Sequence, residues 1–295
     1  MSKPVSGANE FSFARPNPPV ALTVAGTDSG GAAGTAADLA TFAALGVHGA
    51  CVITAVTAQD TTGVSDIHPV PLATVEAQLH AVFDDLPVAA VKTGMLGSAE
   101  VVELVARLCA GRPLVVDPVL VATSGAVLGG EDVRRAYLDH LLPVASVVTP
   151  NLDEARALLG HDDPPNELAA ELAGARGSTS RGAVIVTGGD PEATGTCTDW
   201  LAEPGRAPIP LTHPAVHTSN DHGTGCTYSS ALAAHLAHGV PLLEAADQAA
   251  AYVARQLTTS KDWTLGRGRG PIAHFPIDQH SPTSPIPASS TKETR

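Results

Sequence analysis

The sequence predicts an α/β fold: a doubly wound three-layer α/β/α sandwich around a mostly parallel central sheet, with a small flap on one side. Three observations carry this expectation. Short apolar runs alternate with helical stretches through most of the 295 residues. Those runs are near-continuous in Val, Ile and Ala, as parallel strands covered on both faces require. Hydrophobic residues make up 44% of the chain against 16% charged, enough apolar mass for a large core.

Taken in order, VALTVAG reads as a strand that opens through the glycine-rich turn GTDSGGAAG into the helix GTAADLATFAALG. GACVITAVTA follows as one buried strand and PLATVEAQLHAVFDD as a helix. VAAVKTG, PLVVDPV, SVVTPN and AVIVTGG read as further strands, with SAEVVELVARLCAG and DEARALLG as helices. After residue 190 the rhythm loosens into PEATGTCTDWLAEPGRAPIPLTHPAV, read as antiparallel edge strands, with PEATGTCTDW as the flap over the site. Two helices, over 224–238 and 241–258, close the body. Residues 1–18 and the Ser/Thr/Pro tail 276–295 are expected to be disordered, leaving one domain over 19–275.

The formal net charge of −13 argues against nucleic-acid or anionic-membrane partners, which need clustered Lys and Arg. Small molecules are the expected ligands. Only four lysines are present, Lys3, Lys92, Lys261 and Lys292. An anionic ligand must therefore be held by backbone amides, helix ends, metal or arginine. Cys51, Cys109, Cys197 and Cys226 form no C-x-x-C pair, so spacing gives neither a zinc site nor a redox pair. Cys51 and Cys109 read as small buried hydrophobes. His213, His217 and His222 lack zinc-type spacing and read as exposed loop histidines. The first residues lack an apolar leader segment and no run reaches membrane-span length, which makes the cytoplasm the expected location.

In a parallel sheet of this kind ligands sit outside the carboxyl ends of the strands. Asp28, Gln59, Lys92, Met95, Asp117, Asn151, Glu154 and the stretch Thr187 to Asp190 all fall there. Any one of them alone reads more simply as a helix cap. The chain has no G-x-x-x-x-G-K-[ST], which excludes a Walker-type NTPase. GTDSGGAAG departs from G-x-G-x-x-G, and VITAVTAQD lacks the acidic end expected of a second Rossmann strand. DHGTGC is more telling. Gly223 and Gly225 free successive amides to converge on an anion at the positive end of a helix. Cys226, at a helix start, is expected to have a lowered pKa and to accept a proton. The competing reading is that the glycines permit close packing and Cys226 is a small buried residue.

Seven stretches in order, from ALTVAGTDSGGAAGTAADLATFAALGVHG through VITAVTAQDTTGV, KTGMLGS, VVDPVLVATSG, TPNLDEA and GTGCTYSSALAAHLAHG to LGRGRGPIAHF, resemble the hydroxymethylpyrimidine and phosphomethylpyrimidine kinases of thiamine biosynthesis. That family is ribokinase-like. The resemblance implies phosphorylation, with ATP and Mg2+, of the hydroxymethyl group of a 4-amino-2-methylpyrimidine and then of its monophosphate. It assigns Gln59, Asp38, Met95 and Gly26 to the pyrimidine, and Asn151, Thr187 and Gly189 to the nucleotide. Asp117 and Glu154 are assigned to the metal. Gly223, Thr224 and Gly225 match the anion hole and Cys226 the catalytic base; many ribokinase-like enzymes carry Asp there, so the thiol favours the pyrimidine branch. A homodimer is also implied.

Departures from the pattern are Thr187 and Thr123, where lysines are expected, together with Ala40 and Ala36. A lost polyphosphate contact costs about 1–3 kcal/mol. Arg181, Arg267 and Arg269 are the candidates to compensate. Two alternatives accompany this reading: a pyridoxal or pyridoxine kinase, and a pyrimidine-binding protein of the same fold with weakened catalysis.

Overall fold

A computed structural model describes residues 17–120, 129–175, 182–188 and 195–274. Strand β1 (Val20–Ala25) is buried at every position because parallel neighbours flank it on both sides, β2 (His48–Ile53) and β5 (Val88–Thr93). From β5 the sheet continues through β6 (Leu114–Val116), β7 (Val147–Val148) and β8 (Ala183–Val186), all parallel. Two antiparallel strands, β9 (Thr196–Ala202) and β10 (Ile209–Pro214), complete the far edge. The eight-stranded order is β10-β9-β8-β7-β6-β5-β1-β2. The expected parallel sheet with antiparallel edge strands is what forms.

Helices cover both faces. On one, α2 (Leu72–Asp85), α3 (Ala99–Cys109), α4 (Glu131–Ala136), α5 (Leu152–Leu159) and α6 (Pro165–Ala175) surround a core that includes Leu79, Val102, Leu158 and Leu168. On the other, α1 (Gly34–Ala44), α7 (Thr224–Ala237) and α8 (Leu242–Ser260) pack Phe42, Leu232 and Ala249 against the sheet. The alanine-rich α7 lies between α1, α8 and the sheet, and small side chains let it approach all three. Helices α4 and α6 lie outside the sequence reading, their apolar positions being diluted by EDVRR and by the proline-rich lead-in DDPP.

Two expectations are corrected. GACVITAVTA is two strands, broken at Thr54, whose N–H donates to the Ala25 carbonyl and whose hydroxyl donates to the Met95 carbonyl. Beyond it, β3 (Ala55–Asp60) leaves the main sheet and pairs only with β4 (Gly63–Pro69) in an antiparallel hairpin. Its alternation of buried Ala55 and Thr57 with exposed Val56 and Ala58 is that of a strand covered on one face. This hairpin is the flap. From Thr196 on, PEATGTCTDW belongs to β9 of the main sheet, where Cys197 is a strand residue, and residues 191–194 of that expected flap lie outside the described residues. The expected disordered ends fall outside the described residues, apart from 17 and 18. Among the described residues no helix is long and apolar enough to cross a membrane.

Candidate functional site

The carboxyl ends of β1, β5, β6 and β7, the start of α7 and the flap enclose a cavity of about 690 Å3. Its most constrained point is Gly223, which has φ +91°; an added Cβ would lie 1.8 Å from the Ala32 carbonyl oxygen. Only glycine can place the start of α7 so tightly against the turn after β1. Thr224 then closes its hydroxyl onto the Asp221 carbonyl at 2.5 Å. Gly225 has open space where a side chain would project, and is exposed to the cavity it lines. The Thr224 amide is turned back onto the Asp221 carbonyl at 3.2 Å, which leaves the amides of Gly225 and Cys226 as the ones at the helix start able to receive an anion.

Cys226 is the third residue of α7 and lines the same cavity. Its expected lowered pKa is corrected: burial pushes the thiol up to about 12, against the pull of Lys92 and the Gly34 amide, and with Asp117 and Asp38 adding to the rise. A helix N-terminus favours the thiolate only weakly when two buried carboxylates stand nearby.

Those carboxylates belong to a charge cluster beneath the cavity floor. Lys92 is fully buried, 2.8 Å from Asp38 and 3.9 Å from Asp117. Burial alone would strip its proton, but Asp38, Cys226 and Asp117 hold the ammonium charged. Asp38 also accepts from the hydroxyls of Thr23 and Ser230, each at 2.6 Å. It is saturated from below and absent from the cavity wall, so its expected contact with substrate is not what the structure places there. Asp117 does line the cavity, with Ser229 donating to it at 3.0 Å. Burial lifts its carboxyl to about 6, Lys92 opposing. Glu154 is raised well above the usual range by burial and by Asp117.

Asn151 and Glu154 form a capping box at the start of α5: the Asn151 side chain accepts from the Glu154 amide at 2.8 Å, and the Glu154 carboxylate accepts from the Asn151 amide at 2.9 Å. The plain cap reading is thus correct, and both residues also line the cavity. Thr187 pairs with Asn151 in an isolated parallel bridge, its N–H donating to the Pro150 carbonyl, and shares this wall with Gly188. Thr123, Arg181 and Gly189 lie outside the described residues. Among the candidate compensating arginines, Arg267 pairs with Asp60 on the flap, whereas Arg269 lines the cavity and pairs with Asp221.

Gly26, Met95 and Gln59 meet on the opposite wall. A Cβ on Gly26 would fall 2.4 Å from the Met95 methyl, so the glycine is what admits the thioether there. Gln59 reaches over from the flap, its amide nitrogen 3.3 Å from His222 Nε2. The exposed-loop reading of His222 is corrected: it is 7% exposed and stands 3.3 Å from Asp28. Burial works against the Asp28 carboxylate, yet His222 and the amides of Gly30 and Ala33 hold it below the usual range. Nothing in the spacing around His222 marks this role. His213 is half-buried on the cavity wall, and its hydrogen bond to the Asp199 carboxylate, with help from Cys197, lifts it to about 10.

Known proteins share this architecture and sequence. A profile of the family described as phosphomethylpyrimidine kinase matches residues 28–273. The hydroxymethylpyrimidine/phosphomethylpyrimidine kinase of Rhizobium meliloti is 47% identical over 259 residues, covering 87% of this chain and 97% of that protein. Among solved structures, the Staphylococcus aureus pyridoxal kinase in complex with AMP-PCP and pyridoxal superposes with a TM-score of 0.75 at 32% identity, covering 87% of this chain and 93% of that one. A phosphomethylpyrimidine kinase from Clostridium difficile gives 0.67 at 32% identity, covering 80% and 98%.

Proposed function

The chain belongs to the phosphomethylpyrimidine kinase family and is a phosphotransferase of thiamine biosynthesis, and from that premise we propose how its cleft phosphorylates 4-amino-5-hydroxymethyl-2-methylpyrimidine and its monophosphate. The observation that carries the assignment of roles is convergence: Gly225 and Cys226 at the start of α7, the carboxylates Asp117 and Glu154 and the Gln59 amide all line one cavity. Gln59 offers both a donor and an acceptor to an aminopyrimidine edge, and Met95 supplies an apolar surface for the ring. ATP extends along the wall of Asn151, Thr187 and Gly188; of the described candidate arginines Arg269 is the one that lines the cavity, beside Gln59 and His222 and paired with Asp221.

Asp117 and Glu154 are hard oxygen donors whose burial makes their proton-free form costly, so the pair fits a Mg2+ ion. Such an ion supplies charge compensation to the carboxylates and to the phosphate oxygens. The chain's own residues do the rest. The substrate hydroxyl attacks the γ-phosphorus, the bond to the β-phosphate oxygen breaks, and the amides at the start of α7 receive the charge on the equatorial oxygens in flight. Cys226 serves as base only as the thiolate: burial favours the thiol and Lys92 draws it the other way, so its own proton first passes to solvent and the thiolate then takes the hydroxyl proton. We place the enzyme in the cytoplasm, where ATP is available, and as a homodimer, as the resemblance implies.

Phosphorus NMR of the purified chain with MgATP and the hydroxymethyl pyrimidine tests the proposal: a new phosphomonoester signal followed by a diphosphate supports it, and ATP that stays intact contradicts it. Pyridoxal is the second alcohol to compare, since the similar Staphylococcus aureus structure is a pyridoxal kinase with pyridoxal bound.

A further inference from the structure

The two antiparallel strands at the sheet edge bring together a set of donors that hydroxyl phosphorylation does not use. Successive residues of a strand point to opposite faces, so Cys197 and Asp199 of β9 share one face. On β10 the residue directly opposite Cys197 is His213. Cross-strand partners of an antiparallel pair carry their Cβ atoms about 4.5–5.5 Å apart. Register alone therefore makes a thiol, a carboxylate and an imidazole converge, and their ligand atoms all lie within 4.8 Å of one another.

The surroundings are those of a metal ligand set. Asp199 Oδ2 is 3.1 Å from His213 Nε2, a spacing two ligands on one small cation can keep. The second oxygen, Oδ1, accepts from the Gly188 amide at 3.0 Å, which fixes the carboxylate plane. His213 Nδ1 stands 3.4 Å from the Pro214 carbonyl, the outer contact that leaves Nε2 facing its ligand partners. Asp199 is buried, Cys197 and His213 are half-buried, and all three line the large cavity.

We propose that Cys197, Asp199 and His213 form a three-ligand site for a borderline-soft divalent metal of the Zn2+ type, with the fourth coordination position open to the cleft. Sulfur and imidazole donors select such an ion over Mg2+, which prefers oxygen throughout. Binding releases the thiol and imidazolium protons to solvent and leaves the oxidation state of every atom unchanged. The other described three-donor cluster, His161, Asp163 and Glu171, is exposed throughout and has no thiol, which makes it the natural control.

Cobalt(II), a spectroscopic stand-in for zinc, tests the site in the full-length chain with excess Mg2+ present to occupy oxygen ligands. The expected result is one Co2+ per chain with a thiolate-to-cobalt charge-transfer band, displaced by one equivalent of Zn2+. Cys197→Ser removes the band, His213→Ala weakens binding at least about tenfold, and His161→Ala leaves both unchanged. Should Cys197→Ser fail to fold by circular dichroism, His213→Ala carries the test. The proposal is overturned if no charge-transfer band forms, if the band survives Cys197→Ser, or if Cys226→Ser is the change that removes it.

Discussion

Cys226 shows what a single position does and does not reveal. Its type and its place at a helix start are legible in the sequence; its environment is not, because Asp38, Lys92 and Asp117 arrive from α1, β5 and β6. Cys226→Ala is expected to lower turnover about 10²–10⁴-fold, the span of a lost general base, while calorimetric binding of the pyrimidine persists; unchanged turnover would end the base assignment. Gln59→Ala should weaken pyrimidine binding and spare ATP, and equal loss of both would refute its role. Lys92→Met leaves Asp38 buried without its partner, so urea unfolding should show a loss of about 3–5 kcal/mol. A loss below 1 kcal/mol would mean that the hydroxyls of Thr23 and Ser230 suffice. Asp38 was assigned to the pyrimidine by the resemblance alone, whereas its partners on α7 and β5 hold it under the floor, away from the cavity wall.

Among the elements, the start of α7 is the one whose sequence states its conformation. DHGTGC places glycine where φ is +91° and again where the helix faces the cavity, and the two positions should respond differently. Gly223→Ala forces a Cβ onto the Ala32 backbone and is expected to lower both thermal stability and turnover. Gly225→Ala meets open space, so the fold should hold its melting temperature while nucleotide affinity falls; an equal loss of stability for both would contradict the cradle. The flap was legible as a strand but not as a separate hairpin. The break at Thr54 depends on two carbonyls, Ala25 and Met95, that local sequence does not identify. The core strands and flanking helices were readable because their periodicity arises from burial on both faces. Helices α4 and α6 were not, since their short apolar faces are interrupted by charge and proline.

Across the whole molecule, the charges that make the site also tax the free protein. Asp117 rises from an ordinary value of 3.8 to about 6, and Glu154 shifts in the same direction. A carboxyl raised in this way keeps its proton in the native state, between those two values, when the unfolded chain has lost it. Its stabilising effect is therefore lost as pH climbs through about 6, unless a cation replaces the proton. The rise in melting temperature given by Mg2+ should accordingly be small at pH 5 and large at pH 7.5, and Asp117→Asn should abolish the difference. A Mg2+ effect independent of pH would argue against these two carboxylates as the metal site. Most directly, the central claim is tested by ADP release with MgATP on 4-amino-5-hydroxymethyl-2-methylpyrimidine, its monophosphate and pyridoxal. Turnover on both pyrimidines, exceeding that on pyridoxal, is the predicted result; turnover on pyridoxal alone, or on none of the three, would contradict it.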